Sequence, residues 1–212
     1  MVVRSAAMRH LAGRLRRRAL ATIARSRDTV EAGCVALTYD DGPHPGITPR
    51  LLDVLGQCEA RATFFVVGEH AVAHPEIVRR MVDEGHSVGT HSMHHRDLRR
   101  VPAGVARAEV HDGRRAVEDI VGRPVPLFRP PHGGLSTRSA LVLREAQWQT
   151  RLWTTDGYDW KPQATSDSVL ESASRVEDRG IVLLHDTYEP TLEASRLLVA
   201  RMRARGLELV AL

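Results

Sequence analysis

Cys34-Val35-Ala36-Leu37-Thr38-Tyr39-Asp40-Asp41-Gly42-Pro43 is the stretch on which the fold turns: an apolar run that stops abruptly in two carboxylates and a turn. Its apolar residues are continuous rather than alternating, as in a strand covered on both faces, and such strands belong to parallel sheets wrapped by helices. Phe64-Phe65-Val66-Val67 and Ile181-Val182-Leu183-Leu184 read the same way. Working outward, β-like runs recur at 34–39, 63–67, 87–90, 126–129, 151–155, 181–184 and 208–212. Between them apolar residues return at helical spacing, as in Leu51, Leu52 and Leu55, or Ile77, Val78, Met81 and Val82, or Leu197, Leu198 and Met202. Seven strands with intervening helices imply right-handed crossovers and an α/β architecture, either a barrel or a doubly wound sheet. Periodicity leaves those two open.

A chain of 212 residues fits one such unit. With 42% hydrophobic and 26% charged residues, the collagenous, coiled-coil and wholly disordered classes are excluded. No apolar run approaches the roughly 18 residues of a membrane span. The net charge is +4, but residues 1–28 hold eight arginines against Asp28 alone, or +7, which leaves −3 for residues 29–212. The body is mildly acidic, so a folded nucleic-acid-binding face is not expected. Residues 1–28 therefore read as a basic N-terminal extension and residues 29–212 as the folded domain. The longest apolar stretch after Arg18, Ala19-Leu20-Ala21-Thr22-Ile23-Ala24, is too short for a secretory signal and is closed by Arg25. Cytoplasmic residence is the default expectation, with secretion or association with the cell envelope as the alternative. The extension itself reads as a basic amphipathic helix that docks on the domain, frays, or touches an anionic surface. Cys34 and Cys58 are too few and too far apart for a disulfide framework or a zinc ribbon, and both read as small buried residues.

In either α/β architecture, chemistry collects at the carboxyl ends of the strands. Here those ends carry Asp40-Asp41, His91 with His95, Arg129, Asp156 with Asp159, and His185-Asp186. A turn explains one aspartate after a buried strand but not two, and neighbouring side chains of an extended segment point opposite ways, so the two carboxylates are free to serve different tasks. If His91-Ser92-Met93-His94-His95 turns helical, His91 and His95 share a face at the i, i+4 spacing of helical zinc ligands. Joined by a carboxylate from another strand end they make a His2Asp set, three ligands with a position left open for water. Arg129 can pair with one of the first-strand carboxylates and orient it. His185, with an ordinary pKa near working pH, is a natural general acid opposite such a water. Asp156 or Asp159 would accept from its other ring nitrogen.

Taken together these residues resemble the polysaccharide deacetylases, the NodB-homology family of carbohydrate esterases (family 4), from about Cys34 to the C-terminus. Thr38-Tyr39-Asp40-Asp41-Gly42-Pro43 is similar to the first family motif, with Tyr39 where Phe is common. His91-Ser92-x-x-His95, Arg129-x-Pro131-x-Gly133, Asp156-x-x-Asp159-Trp160 and Leu183-x-His185 are similar to the other four, in order. The resemblance implies an irregular (β/α) barrel of about seven parallel strands, TIM-barrel-like, for residues 29–212. It implies Asp40 as catalytic base, and Asp41, His91 and His95 as ligands of one divalent metal ion, zinc first, with cobalt or another divalent ion as the alternative. Arg129 would orient Asp40, and His185 would be the acid, tuned by Asp156 in the first place and Asp159 in the second. Leu183 and Trp160 would wall the acetyl group, while Pro131 and His132 of the third motif would contribute to substrate and oxyanion contacts. His132 stands where the family commonly has an aromatic residue whose backbone N–H serves the oxyanion.

The implied activity is metal-dependent removal of N-acetyl groups from an amino-sugar glycan, of chitooligosaccharide or peptidoglycan type. The alternatives are an O-acetyl carbohydrate esterase of xylan type, a non-catalytic glycan-binding barrel, and a phosphoesterase, for which anion-binding residues beyond Arg129 are scarce. The expected partner is an N-acetylated glycan or oligosaccharide. Nine aromatic residues in the whole chain favour a short substrate over a long stacked polymer.

Overall fold

The structure is a computed structural model and describes residues 20, 22, 26–145 and 148–212. The basic extension, residues 1–28, lies outside the described residues apart from Leu20, Thr22 and residues 26–28. The strands are β1 (Cys34–Asp40), β2 (Thr63–Val66), β3 (Ser87–Thr90), β4 (Leu127–Phe128), β5 (Gln149–Thr150), β6 (Thr155–Asp156), β7 (Ile181–His185) and β8 (Glu208–Leu209). The described helices are α1 (Thr48–Gln57), α2 (Gly68–Ala73), α3 (Pro75–Asp83), α4 (Ala103–Val121), α5 (Thr137–Glu145), α6 (Ser166–Ala173) and α7 (Pro190–Ala204). Seven strands follow the path β5-β4-β3-β2-β1-β7-β6, all neighbours parallel, and β8 pairs with the first residues of β1. No pairing joins β5 to β6 among the described residues, so the sheet curls into an open, irregular barrel with helices outside, in agreement with the expected class.

The continuous apolar runs are buried on both faces as expected. Val35, Leu37 and Tyr39 of β1 and Phe64 and Val66 of β2 face one core cluster with Leu51, Leu55, Met81, Leu198 and Met202 of the helices. A smaller cluster gathers Leu98, Val110, Phe128, Leu143 and Trp148, and Leu20 packs into it. Register brings the strand ends level: Asp40 pairs with His185 on one side and with Phe65 on the other, Thr90 with Phe128, and Asp156 with Leu183. Whatever follows these residues in sequence emerges on one face. Among the described residues no helix is long and apolar enough to cross a membrane.

Two expectations are corrected. The run 151–155 is not one strand: β5 ends at Thr150, β6 begins only at Thr155, and the segment between them crosses the gap in the sheet. Its carbonyls are diverted, because Arg151 and Leu152 give theirs to the Arg129 guanidinium at 3.2 and 3.0 Å instead of to a neighbouring strand. Arg151 forms an isolated parallel bridge to Arg27, and its N–H donates to the Phe128 carbonyl at 2.9 Å. Cys34 and Cys58 are free thiols but half-buried rather than buried.

Candidate active site

Strand ends supply one side chain after another to a single cleft of about 490 Å³. From β1 comes Asp40, 2% exposed, whose Oδ1 accepts from Arg129 Nη1 at 2.7 Å. Arg129 is fully buried just past β4 and also donates to Thr38 Oγ1 at 2.7 Å, with its guanidinium 4.2 Å from the Phe65 ring centroid. A guanidinium this deep is tolerated because a carboxylate, a hydroxyl and two carbonyls accept from its N–H groups, and the pair fixes the orientation of Asp40.

The chain then turns left-handed at Asp41 (φ 76°), a conformation aspartate tolerates better than most residues, and passes a cis peptide bond at Gly42-Pro43. Gly42 admits no side chain, since a Cβ would run into the Asp186 carboxylate. Burial raises that carboxyl to about 7, opposed by the 2.7 Å hydrogen bond from the Thr48 hydroxyl. The turn aims Asp41 away from Asp40 and at two histidines: its Oδ1 lies 3.2 Å from His95 Nε2 and 3.5 Å from His91 Nε2.

His91 is buried at the end of β3, and its Nδ1 lies 2.7 Å from the Arg129 carbonyl. A carbonyl only accepts, so Nδ1 carries the proton and the Nε2 lone pair faces Asp41. Burial lowers the His91 pKa, against the opposing pull of Asp40 and Asp41. The helical turn expected between His91 and His95 does not form. The carbonyls of Ser92 and Met93 accept the Gly68 and Glu69 N–H groups at 2.9 and 3.0 Å, and the Met93 and His94 N–H groups go to Glu109, so the backbone is held in another shape. Instead Ser92 (φ 67°) and His95 (φ 53°) both turn left-handed, and the loop folds His95 back beside His91 with ring centroids 4.9 Å apart.

Asp41, His91 and His95 offer ligand atoms that all lie within 4.8 Å of one another. Asp41 Oδ1 is buried without a hydrogen-bond donor, an orphaned lone pair between imidazole nitrogens. Burial by itself would raise the Asp41 carboxyl, but the approach of His95 and the charges of His91 and His185 hold it well below the usual carboxylate range. One carboxylate oxygen and two imidazole nitrogens converging on a point is a donor set that fits a divalent ion such as zinc.

Across the cleft His185 ends β7, with Nε2 4.0 Å from Asp41 Oδ2. Its Nδ1 lies 2.7 Å from Asp159 Oδ1, while Asp159 Oδ2 accepts the His185 N–H and the Thr191 hydroxyl, each at 2.7 Å. The structure thus reverses the expected preference: Asp159 meets His185, and Asp156, at the cleft's edge, accepts the Tyr158 N–H at 2.7 Å. The three-residue spacing let either aspartate face His185. The left-handed Tyr158 (φ 56°) between them turns Asp159 inward, to 2% exposure.

Leu183 lines the cleft as expected, and Trp160 stands exposed at its rim. His132 is exposed and left-handed (φ 58°), its ring edge-on to His95 at 4.8 Å between centroids. Its N–H finds no acceptor among the described residues. Pro131 is buried in the turn and does not line the cleft. Trp153 and Tyr188, which line it too, were not singled out in the sequence. Nor was Thr191. With Tyr158 and Trp160, Tyr188 puts three of the nine aromatic rings in exposed positions near the mouth, more stacking surface than the count alone implied.

A family profile described as polysaccharide deacetylase matches residues 27–150. The chitooligosaccharide deacetylase of Bradyrhizobium sp. (strain ANU 289) is 34% identical over 82% of this chain and 87% of its own length. The peptidoglycan-N-acetylmuramic acid deacetylase PdaC of Bacillus subtilis (strain 168) is 33% identical over 83% of this chain, which spans 37% of that relative's length. Among solved structures, the Bc1960 peptidoglycan N-acetylglucosamine deacetylase superposes with a TM-score of 0.84 at 27% identity, covering 88% of this chain and 90% of that one. Over its matched residues, its strand order and its cleft, this chain belongs to the polysaccharide deacetylase family.

Proposed function

We propose that residues 29–212 form a metal-dependent deacetylase that hydrolyses N-acetyl groups of an amino-sugar glycan, of chitooligosaccharide or peptidoglycan type. The observation that carries this reading is the placing of an oriented carboxylate and an acid imidazole on opposite sides of one three-ligand set. Asp40 Oδ2 lies 3.7 Å from His91 Nε2 and His185 Nε2 4.0 Å from Asp41 Oδ2, so both reach the same point in the cleft. A divalent ion held by Asp41, His91 and His95 would polarise the acetyl carbonyl and lower the pKa of a water there.

The chain's own groups do the rest. Asp40, held by Arg129, takes the proton of the attacking water. The free N–H of His132 is a donor for the oxygen that gains charge, a contribution commonly worth about 2.7–4 kcal/mol. His185 hands its Nε2 proton to the departing amine, which is a poor leaving group unless protonated. Asp159 and Thr191 keep the ring in place for that transfer. Leu183 and Trp160 offer an apolar slot for the acetyl methyl, and the exposed rings offer faces for sugars.

The test is acetate release from N-acetylated chitooligosaccharides by protein stripped with chelator and restored with Zn²⁺ or Co²⁺. Metal-restored acetate is expected. Asp40→Asn should lose about 10²–10⁴-fold of that activity while still binding zinc. His185→Ala should be as damaging on N-acetyl substrates yet mild on acetylated xylan, since an alcohol leaves without help. Full activity of Asp40→Asn would sink the base assignment. Absence of acetate from oligosaccharide, xylan and peptidoglycan fragments despite bound metal would overturn the deacetylase reading and leave the glycan-binding and phosphoesterase readings.

A further inference from the structure

Behind the loop that carries His95 lies a buried carboxylate that no step above uses. Glu109, on α4, is 4% exposed. Its Oε2 accepts the His94 N–H at 2.9 Å, and its Oε1 lies 3.0 Å from His94 Nδ1 and 3.2 Å from Arg96 Nε. Its backbone carbonyl accepts the Met93 N–H at 2.9 Å. Four residues on, Gly113 makes room for the same loop: a Cβ there would stand 2.7 Å from the Ser92 carbonyl carbon and 2.9 Å from the Met93 nitrogen. From the opposite side the first N–H groups of α2 bind the Ser92 and Met93 carbonyls.

The loop needs this clamping. Ser92 and His95 both sit in the left-handed region, which residues other than glycine hold only where their surroundings over-determine it. Glu109 grips the residue on each side of His95, His94 by its N–H and ring and Arg96 by its guanidinium. Two acceptor oxygens serve three donors, which a carboxylate can do and an amide, with one oxygen and two hydrogens of its own, cannot.

We propose that Glu109 is a positioning residue of the metal centre: by fixing residues 92–96 it sets how tightly Asp41, His91 and His95 hold their ion. This rests on reading those three residues as the metal site. The experiment is zinc affinity, measured by competition with a chromophoric chelator, for wild type, Glu109→Gln and Glu109→Ala. Apo-protein circular dichroism is taken on each, together with the visible spectrum of the Co²⁺ form. Glu109→Gln should fold and bind zinc roughly 10-fold more weakly, with an altered Co²⁺ spectrum, and folded Glu109→Ala more weakly still. If Glu109→Ala does not fold, Glu109→Gln alone decides, and Gly113→Ala, which pushes on the same loop from the same helix, should weaken zinc as well. A folded Glu109→Gln that binds zinc as tightly as wild type and shows the same Co²⁺ spectrum overturns the proposal. Wild type that binds no zinc overturns the metal site itself.

Discussion

His185 is held in its charged form by what surrounds it. Burial pulls its pKa down, but the hydrogen bond and charge of Asp159, with the charges of Asp40 and Asp41, outweigh that and raise it to about 9. On the proposed mechanism the imidazolium is the form that gives its proton, and deprotonation above the raised pKa is expected to set the alkaline limb. Removing the negative charge of Asp159 lowers that pKa. Asp159→Asn should therefore move the alkaline limb of kcat to lower pH by roughly 1–3 units, and Asp156→Asn should move it less. A pH–rate profile of the three proteins checks this. Equal limbs in wild type and Asp159→Asn would mean that the limb belongs to another group.

At the scale of elements, Arg129 is the link between strands. Its guanidinium joins β1, through Asp40 and Thr38, to the segment between β5 and β6, through the carbonyls of Arg151 and Leu152. With these carbonyls turned to the guanidinium, only Thr155 of the run 151–155 lies in a strand, the first residue of β6. Replacing Arg129 by methionine leaves Asp40 buried without its partner and frees those carbonyls. Breaking one half of a buried ion pair costs about 3–5 kcal/mol, so Arg129→Met should lower the unfolding free energy, read from a urea titration, by an amount of that order. A loss under about 1 kcal/mol would show that water or a rearranged strand replaces the guanidinium.

For the whole molecule, acid sensitivity has a source far from the cleft. His86 precedes β3, at the opposite end of the barrel, and is 3% exposed. Its Nδ1 accepts the Ala62 N–H at 3.1 Å, while its Nε2 has no hydrogen-bond partner. Burial, opposed by Glu84, lowers its pKa to about 4. The unfolded chain takes up this proton below the ordinary value near 6.5, whereas the folded chain does so only near 4. Stability therefore falls as pH drops from about 6.5 to 4, by about 3 kcal/mol from this group, and the loss stays constant below that window. His86→Gln should flatten the dependence of the urea midpoint on pH across that window, measured in chelator so that metal binding does not contribute. An unchanged slope would assign the acid sensitivity to other groups.

The sequence by itself determined the α/β class and most of the cast, while the choice of a barrel over a doubly wound sheet came from the family resemblance and the strand order. Burial of whole apolar runs and the period of the helices are local properties of the chain, and so is the identity of the residues that end each strand. Asp40, Asp41, His91, Arg129 and His185 were legible for that reason, and they gather because parallel register brings strand ends level. Through-space partnership is not local, and there the tertiary structure decided. It chose Asp159 over Asp156, because a left-handed residue between them swings one of the two inward. It replaced the helical turn at His91–His95 with a loop, because α2 and α4 claim the backbone groups a helix would need. It brought Trp153, Tyr188, Thr191 and Glu109 to the site from separate segments, where no spacing in the sequence announces them. Periodicity records which side of an element is buried, while the partner found on that side depends on how distant elements pack.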